Sequence, residues 1–425
     1  MDRRRLITTL LAGGVAAPLA FGSTKLREAI ASIDAAPNDE DIWLTVQQAF
    51  AVDRTIINLN NGGVSPSPRT VQDAFRRYTE QANQIPSYEM WRHQEPQIES
   101  VRTSLADMFG VSAEEIAITR NASESLETAQ FGIPMQAGDE VIVSTQDYPR
   151  MLTAWEQRAR RDGIVIKKVT FDVPVTDLSQ VVRAYANAIT PKTKVLHCSQ
   201  VVFLTGQILP VKDVCGLARD RGLISIIDGA HAFAQFPFTH ADIGCDIYGT
   251  SLHKWLCGPI GTGMLYVKKE LIPTVWPLMA APKEMDANIR KYEEIGTHSA
   301  AMHNALIEAI AFNRAIGLQR KADRFRYLHS LWINEVKGMK NVRFNTDISS
   351  GNHQVAMVNV GLEGVDPGKL SEWLLAKHRI FTVAITHEQF SGIRVTPNVY
   401  TTVDEIRTFG KALKTAATMN IEEFK

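Results

Sequence analysis

Cysteine is scarce in this 425-residue sequence: Cys198, Cys215, Cys245 and Cys257 are the only four, and no two form a Cys-x-x-Cys pair. So few scattered thiols exclude a disulfide scaffold. With no His-Glu-x-x-His segment either, the common zinc patterns are missing and no metal is expected. An excess of one charge is also lacking, since 46 Lys+Arg balance 46 Asp+Glu. That balance argues against a nucleic-acid partner, which calls for a basic excess or stripe. No run reaches the roughly 18 uninterrupted apolar residues of a membrane span, so stable membrane insertion is not expected. Low-complexity tracts and internal repeats are absent as well. What remains, 45% hydrophobic and 22% charged, is an ordinary globular composition. At about 100–200 residues per domain the length implies two or three domains.

The first residues differ from the rest. Arg3-Arg4-Arg5 precede a mildly apolar stretch, Leu6 to Phe21, broken by Thr8, Thr9, Gly13, Gly14 and Pro18, and small residues follow. A basic head, a short apolar core and a small-residue exit form an export signal. Paired arginines directly before a weak core resemble a twin-arginine signal, although Asp2 and Leu6 stand where Ser/Thr and Phe are usual. Residues 1–25 are read as this signal. Residues 26–57 are read as a tether and an amino-terminal segment that packs on a small domain.

From Asn58 onward, apolar runs alternate with amphipathic helical patterns. The runs are Ile116–Thr119, Glu140–Ser144, Ile164–Val169, Val195–Ser199, Leu223–Asp228, Ile243–Thr250 and Met264–Val267. Strands alternating with helices predict an α/β fold, with a mostly parallel seven-stranded sheet between helices. After Ser299 the pattern changes to two long helices and shorter segments. A large domain is therefore expected over 58–305 and a smaller α/β domain over 306–425. Ligands of such sheets bind at the carboxyl ends of the strands, which directs attention to polar clusters there.

Four clusters stand out. Thr119-Arg120-Asn121-Ala122-Ser123-Glu124-Ser125 follows a strand and opens a helix, a natural phosphate seat, although Ser123 alone could be a helix cap. Asp228-Gly229-Ala230-His231 ends a very apolar strand. A carboxylate there must meet a cation or donors, or else cap a turn. Ser251-Leu252-His253-Lys254 precedes a glycine-rich turn; a desolvated lysine can form a Schiff base with a carbonyl, whereas a bland lysine would snorkel to the surface. Arg394, inside Gly392-Ile393-Arg394-Val395-Thr396-Pro397, can grip a carboxylate or form a structural ion pair.

Together these residues resemble the class V aminotransferases, pyridoxal 5'-phosphate (PLP) enzymes of fold type I that include cysteine desulfurases, kynureninase and isopenicillin N epimerase. The Thr-Arg-Asn-Ala-Ser-Glu segment and the arginine segment are most similar to the epimerase-like branch. The resemblance spans Asn58 to the end and implies a role for each cluster. Lys254 would hold the cofactor and move the α-proton, and Asp228 would face the pyridine nitrogen. His231 would lie near the ring hydroxyl, and Tyr148 would stack on the ring. Ala122, Ser123, Ser251 and His253 would seat the phosphate, Arg394 would bind the substrate carboxylate, and Thr297 would reach the phosphate of a neighbouring subunit. A homodimer with shared active sites follows. Where desulfurases carry an Asn for the ring hydroxyl, this sequence offers Gln200 or a water. No cysteine follows Cys257, so the late sulfur acceptor of desulfurases is missing and that activity is not expected.

The signal and the chemistry agree, because an enzyme that folds around PLP in the cytoplasm suits the twin-arginine export machinery, which carries folded proteins to the periplasm. One periplasmic group of the family modifies the peptide siderophore pyoverdine, and this sequence resembles it in signal, length and branch. The expected activity is aminotransferase-type chemistry on an amino acid or peptide side chain. Epimerisation, C–S or C–C lyase chemistry, and a non-catalytic PLP-binding role are the alternatives.

Overall fold

The computed structural model describes residues 36–349 and 354–424. The signal expected over 1–25, with the first part of the tether, lies outside them. All seven apolar runs form strands of one sheet: β2 (Ile116–Thr119), β3 (Glu140–Ser144), β4 (Val165–Val169), β5 (Thr193–Ser199), β6 (Ile224–Asp228), β7 (Ile247–Ser251) and β8 (Gly263–Val267). Ahead of them in the chain is β1 (Ile57–Asn58). The order across the sheet is β2-β8-β7-β6-β5-β3-β4. β4, β3, β5, β6 and β7 pair in parallel, and β8 runs antiparallel to β2 and β7. Strands β2, β3, β7 and β8 are buried along their whole length, as a sheet covered by helices on both faces requires. One run is shorter than its apolar pattern suggested. Ile243 and Gly244 belong to a turn, with Gly244 at φ 71°, and β7 starts only at Ile247.

The smaller sheet is antiparallel, in the order β12 (Val383–Thr386), β13 (Ser391–Val395), β10 (Val358–Leu362), β9 (Val342–Phe344). Helices Leu318–Val336 and Val403–Thr418 pack together, and Leu328, Trp332, Phe409 and Leu413 join Val358, Val360 and Ile393 in one core. The helix Ala300–Ile316 runs unbroken across position 305/306. Its Ala305, Leu306, Ala309 and Ile310 lie in the large-sheet core, and Gly317, at φ 83°, turns the chain into the next helix.

Residues Glu40–Gln48 form a helix that buries Ile42, Trp43 and Val46. These side chains share a core with Trp255, Phe312, Phe325 and Val399. β1 then pairs in parallel with β11 (Ile380–Phe381). All four cysteines are free and buried. Among the described residues no helix is long and apolar enough to cross a membrane, and no cluster of His, Cys, Asp or Glu could hold a metal.

Candidate active site

The polar clusters meet at the carboxyl ends of β2, β6 and β7. The helix Ala122–Gly132 begins just past β2, and its cap is Asn121, whose Oδ1 accepts from Glu124 N–H at 2.9 Å. Ser123 is therefore not the cap, and its side chain makes no hydrogen bond among the described residues. Ala122 N–H donates to Ser251 Oγ at 3.0 Å, which joins the helix start to the end of β7. The close fit depends on Gly263: a Cβ there would lie 2.7 Å from Asn121 backbone atoms and 2.6 Å from Thr119 Oγ1.

Asp228 ends β6, and its Oδ1 accepts from Ala230 N–H at 2.9 Å. No other protein donor reaches its carboxylate among the described residues. Burial raises its pKa, against the pull of the Ala230 N–H and of Lys254. Lys254, three residues beyond β7, brings Nζ to 3.1 Å from His231 Nε2. Desolvation lowers Lys254 to about 8, Asp228 opposes the shift, and Arg394 adds to it. Burial first, then Lys254 and Arg394, push His231 well below the usual imidazole range, so the ring is neutral. Its Nδ1 is buried without a partner. His253 turns its Nδ1 to Thr262 O at 3.0 Å.

Arg394 enters from β13, 6% exposed. Its Nη1 donates to Phe203 O at 2.7 Å and its Nη2 to Asn60 Oδ1 at 3.1 Å, while Nε is buried without a partner. No carboxylate pairs with it among the described residues, so the structural ion pair is excluded there. Desolvation lowers it to about 10, partly countered by Tyr148. Tyr148 precedes the helix Pro149–Asp162, is 37% exposed, and sets its ring edge-on to Phe203 at 5.1 Å.

Thr297 stands apart. It is exposed, it follows Gly296 at φ 77°, and no contact joins it to Lys254.

Two residues gain weight from the structure. Asp147, unremarked in the sequence, is 2% exposed. Its Oδ2 accepts from Ser144 N–H at 2.7 Å, and its Oδ1 from Ser199 N–H at 3.1 Å and Ser199 Oγ at 2.7 Å. Burial lifts it to about 7, opposed by those donors and helped by the charge of Asp228. It ties the Tyr148 turn to the end of β5. Next to that end, Gln200 Oε1 accepts from the Tyr248 hydroxyl at 3.0 Å, which leaves its amide N–H groups to donate.

The chain also has recognisable relatives among known proteins. A family model described as Aminotransferase class-V matches residues 57–407. Isopenicillin N epimerase of Amycolatopsis lactamdurans is 29% identical over 395 residues, covering 88% of this chain and 98% of that protein. The Streptomyces clavuligerus protein of the same name is 27% identical over 394 residues, 87% of this chain and 97% of its own. A cysteine desulfurase of Yersinia pestis (strain Pestoides F) is 33% identical over 186 residues, 43% of this chain and 45% of that one. Among solved structures, a C-DES variant with glycine covalently linked to its PLP cofactor superposes with TM-score 0.77 at 20% identity, covering 87% of this chain and 98% of that one. The apo cysteine desulfurase of Thermococcus onnurineus NA1 gives 0.77 at 21%, covering 88% and 97%. At such identities the two structures establish a shared fold.

Proposed function

The chain belongs to the aminotransferase class-V family of PLP-dependent enzymes, and on that premise we propose that it transforms an amino group of an amino acid or of a peptide side chain by aminotransferase-type chemistry. The observation that carries the reading is Lys254. Its desolvated Nζ lies 3.1 Å from the neutral His231, in the field of the buried carboxylate of Asp228 and of Arg394, a buried cation without an acid partner.

The residues suit the cofactor. Asp228 has carboxylate capacity left for a protonated ring nitrogen, because the Ala230 N–H occupies only one of its oxygens. Ser123 and the helix start at Ala122 offer a seat for a phosphate, which Ser251 and His253 border. Gln200 keeps its amide N–H groups for the ring hydroxyl beside His231, whose Nδ1 is unpartnered. Tyr148 is half open, as a ring-stacking residue must be. Bound there, PLP supplies an aldehyde for a covalent link and an electron-poor ring that stabilises negative charge at a substrate α-carbon.

The chain's own groups do the rest. With its pKa near 8, Lys254 is partly neutral at neutral pH, so Nζ is both a nucleophile and a base for the α-proton. His231 accepts or returns a hydrogen bond at Nζ without competing as a cation. Arg394 has its unpartnered Nε to bind the substrate carboxylate and fix which α-substituent faces Lys254. The exposed Thr297 fits a homodimer in which a second copy completes the phosphate seat.

The arginines of the amino terminus support export by the twin-arginine route to the periplasm, and from there a role in maturing a siderophore such as pyoverdine. Arg4→Lys with Arg5→Lys should hold the enzyme in the cytoplasm, as read by cell fractionation. The two full-length relatives named isopenicillin N epimerase favour a second reading, epimerisation, which begins with the same proton removal.

The deciding experiment is the visible spectrum of the purified protein titrated with L-glutamate. A yellow band that bleaches and returns with 2-oxoglutarate supports transamination. A band that ignores glutamate moves the assignment to epimerase, lyase or a peptide substrate. No band even after added PLP returns it to a non-catalytic protein. Lys254→Ala should lose the borohydride-reducible link while staying folded; an adduct persisting in that variant would refute the lysine assignment.

A further inference from the structure

Behind the catalytic lysine lies a second lysine that the chemistry above does not use. Lys321, on the first turn of the helix Leu318–Val336, is 1% exposed, and no carboxylate pairs with it among the described residues. Burying a lone cation is costly, so it persists only where its hydrogen bonds serve some purpose. Its Nζ donates to Trp255 O and, at 2.8 Å, to Asn313 Oδ1. Asn313, on the preceding helix Ala300–Ile316, donates from Nδ2 to Leu256 O at 2.8 Å. Two adjacent carbonyls directly after Lys254 are thus held from the helix pair that joins the domains.

The turn they hold needs holding. Cys257 sits at φ 59°, in the left-handed region that residues with a side chain rarely adopt. Its N–H donates to Lys254 O at 3.1 Å, and Gly258 N–H donates to Leu252 O at 2.9 Å. Strained backbone of this kind persists where its surroundings over-determine it. The Lys254–Gly258 turn sets the direction of the Lys254 side chain.

We propose that Lys321 and Asn313 are positioning residues: together they clamp the Trp255 and Leu256 carbonyls, fix the strained turn, and so aim Lys254 Nζ at His231 and the reacting centre. The proposal rests on Lys254 being the lysine that binds the cofactor. It also makes the catalytic turn dependent on the junction between the domains, since Lys321 and Asn313 flank the Gly317 bend.

Lys321→Met keeps most of the side-chain volume and removes the donor. The test compares this variant with the wild-type chain in two readouts: hydrogen exchange of the segment spanning residues 253–258 in the cofactor-free protein, and the rate at which added PLP becomes borohydride-reducible at Lys254. The proposal expects a cooperative thermal transition, with exchange in that segment faster and trapping slower, each by about tenfold or more. Wild-type exchange and trapping in a folded Lys321→Met would overturn it. If that variant does not fold, Asn313→Ala, which removes the bond to Leu256 O and one acceptor of Lys321, is read in the same way: the same losses support the proposal, and unchanged values overturn it. A wild-type chain that shows no trapping at Lys254 would mark the failure of the site assignment instead, with the exchange comparison still deciding whether the clamp holds the turn.

Discussion

Asp147 shows how much a single carboxyl can change between sequence and structure. In Gln146-Asp147-Tyr148-Pro149 nothing singles it out. In the fold it is buried, holds three donors, and has its pKa raised from 3.8 to about 7. Between those values the folded protein binds the proton more tightly than the unfolded chain does. This group therefore stabilises less as pH rises from about 4 to about 7. Asp147→Asn cannot titrate, so its urea-unfolding stability should fall less over that range than the wild type's; parallel curves would contradict the assignment. Lys254 and Lys321 carry the opposite slope. Both are lowered from 10.5 to about 8 by desolvation. The unfolded chain holds these protons more tightly, so stability rises as pH climbs from about 8 toward 10.5. Lys321→Met should lose part of that rise. Lys254, Asp228 and Arg394 were legible because Arg394 interrupts an apolar strand, Asp228 ends one and Lys254 closely follows one. Asp147 and Lys321 were not, because a charge in a turn or on an amphipathic helix looks solvated until tertiary packing covers it.

At the scale of elements, the central strands were readable because burial on both faces leaves them apolar throughout, as in Val141–Val143 and Ile226–Ile227. The failure at Ile243 has a local cause. Its apolar side chain packs in the core from a turn that Gly244 permits, so burial alone did not make a strand. The junction of β2, β8 and the helix Ala122–Gly132 yields a sharper prediction. A methyl group at Gly263 would overlap Asn121 and Thr119, forcing the helix start away from Ser251. Gly263→Ala should cost roughly 1–3 kcal/mol in stability by overpacking. It should also weaken PLP binding, measured by fluorescence titration, more than a comparable overpacking change remote from the site. An affinity equal to wild type would show that the helix start does not seat the phosphate.

For the whole molecule, the consequence lies in the amino-terminal segment. Helix Glu40–Gln48 is too short and too isolated in sequence to announce itself, since a helix of that length is marginal without tertiary partners. Its partners come from distant parts of the sequence: Trp43 is fully buried in one core with Trp255, Phe325 and Val399, with the Arg324 guanidinium 5.1 Å over its ring. Arg324 is itself tied to Pro37 O at 2.9 Å and paired with Glu40. The segment therefore fastens the helix carrying Lys321 to the core around Trp255, the residue next to Lys254. Trp43→Ala should remove about 3–5 kcal/mol of stability, as large-to-small core changes do. If the segment stabilises both domains as one unit, calorimetry should show the whole endotherm moving down together. A low-temperature shoulder with the main transition unmoved would mean that the segment only dresses the surface of one domain. In the first case the loosening should extend to Lys254, with slower cofactor trapping at temperatures where the variant is still folded, because the same core supports the turn that carries the lysine.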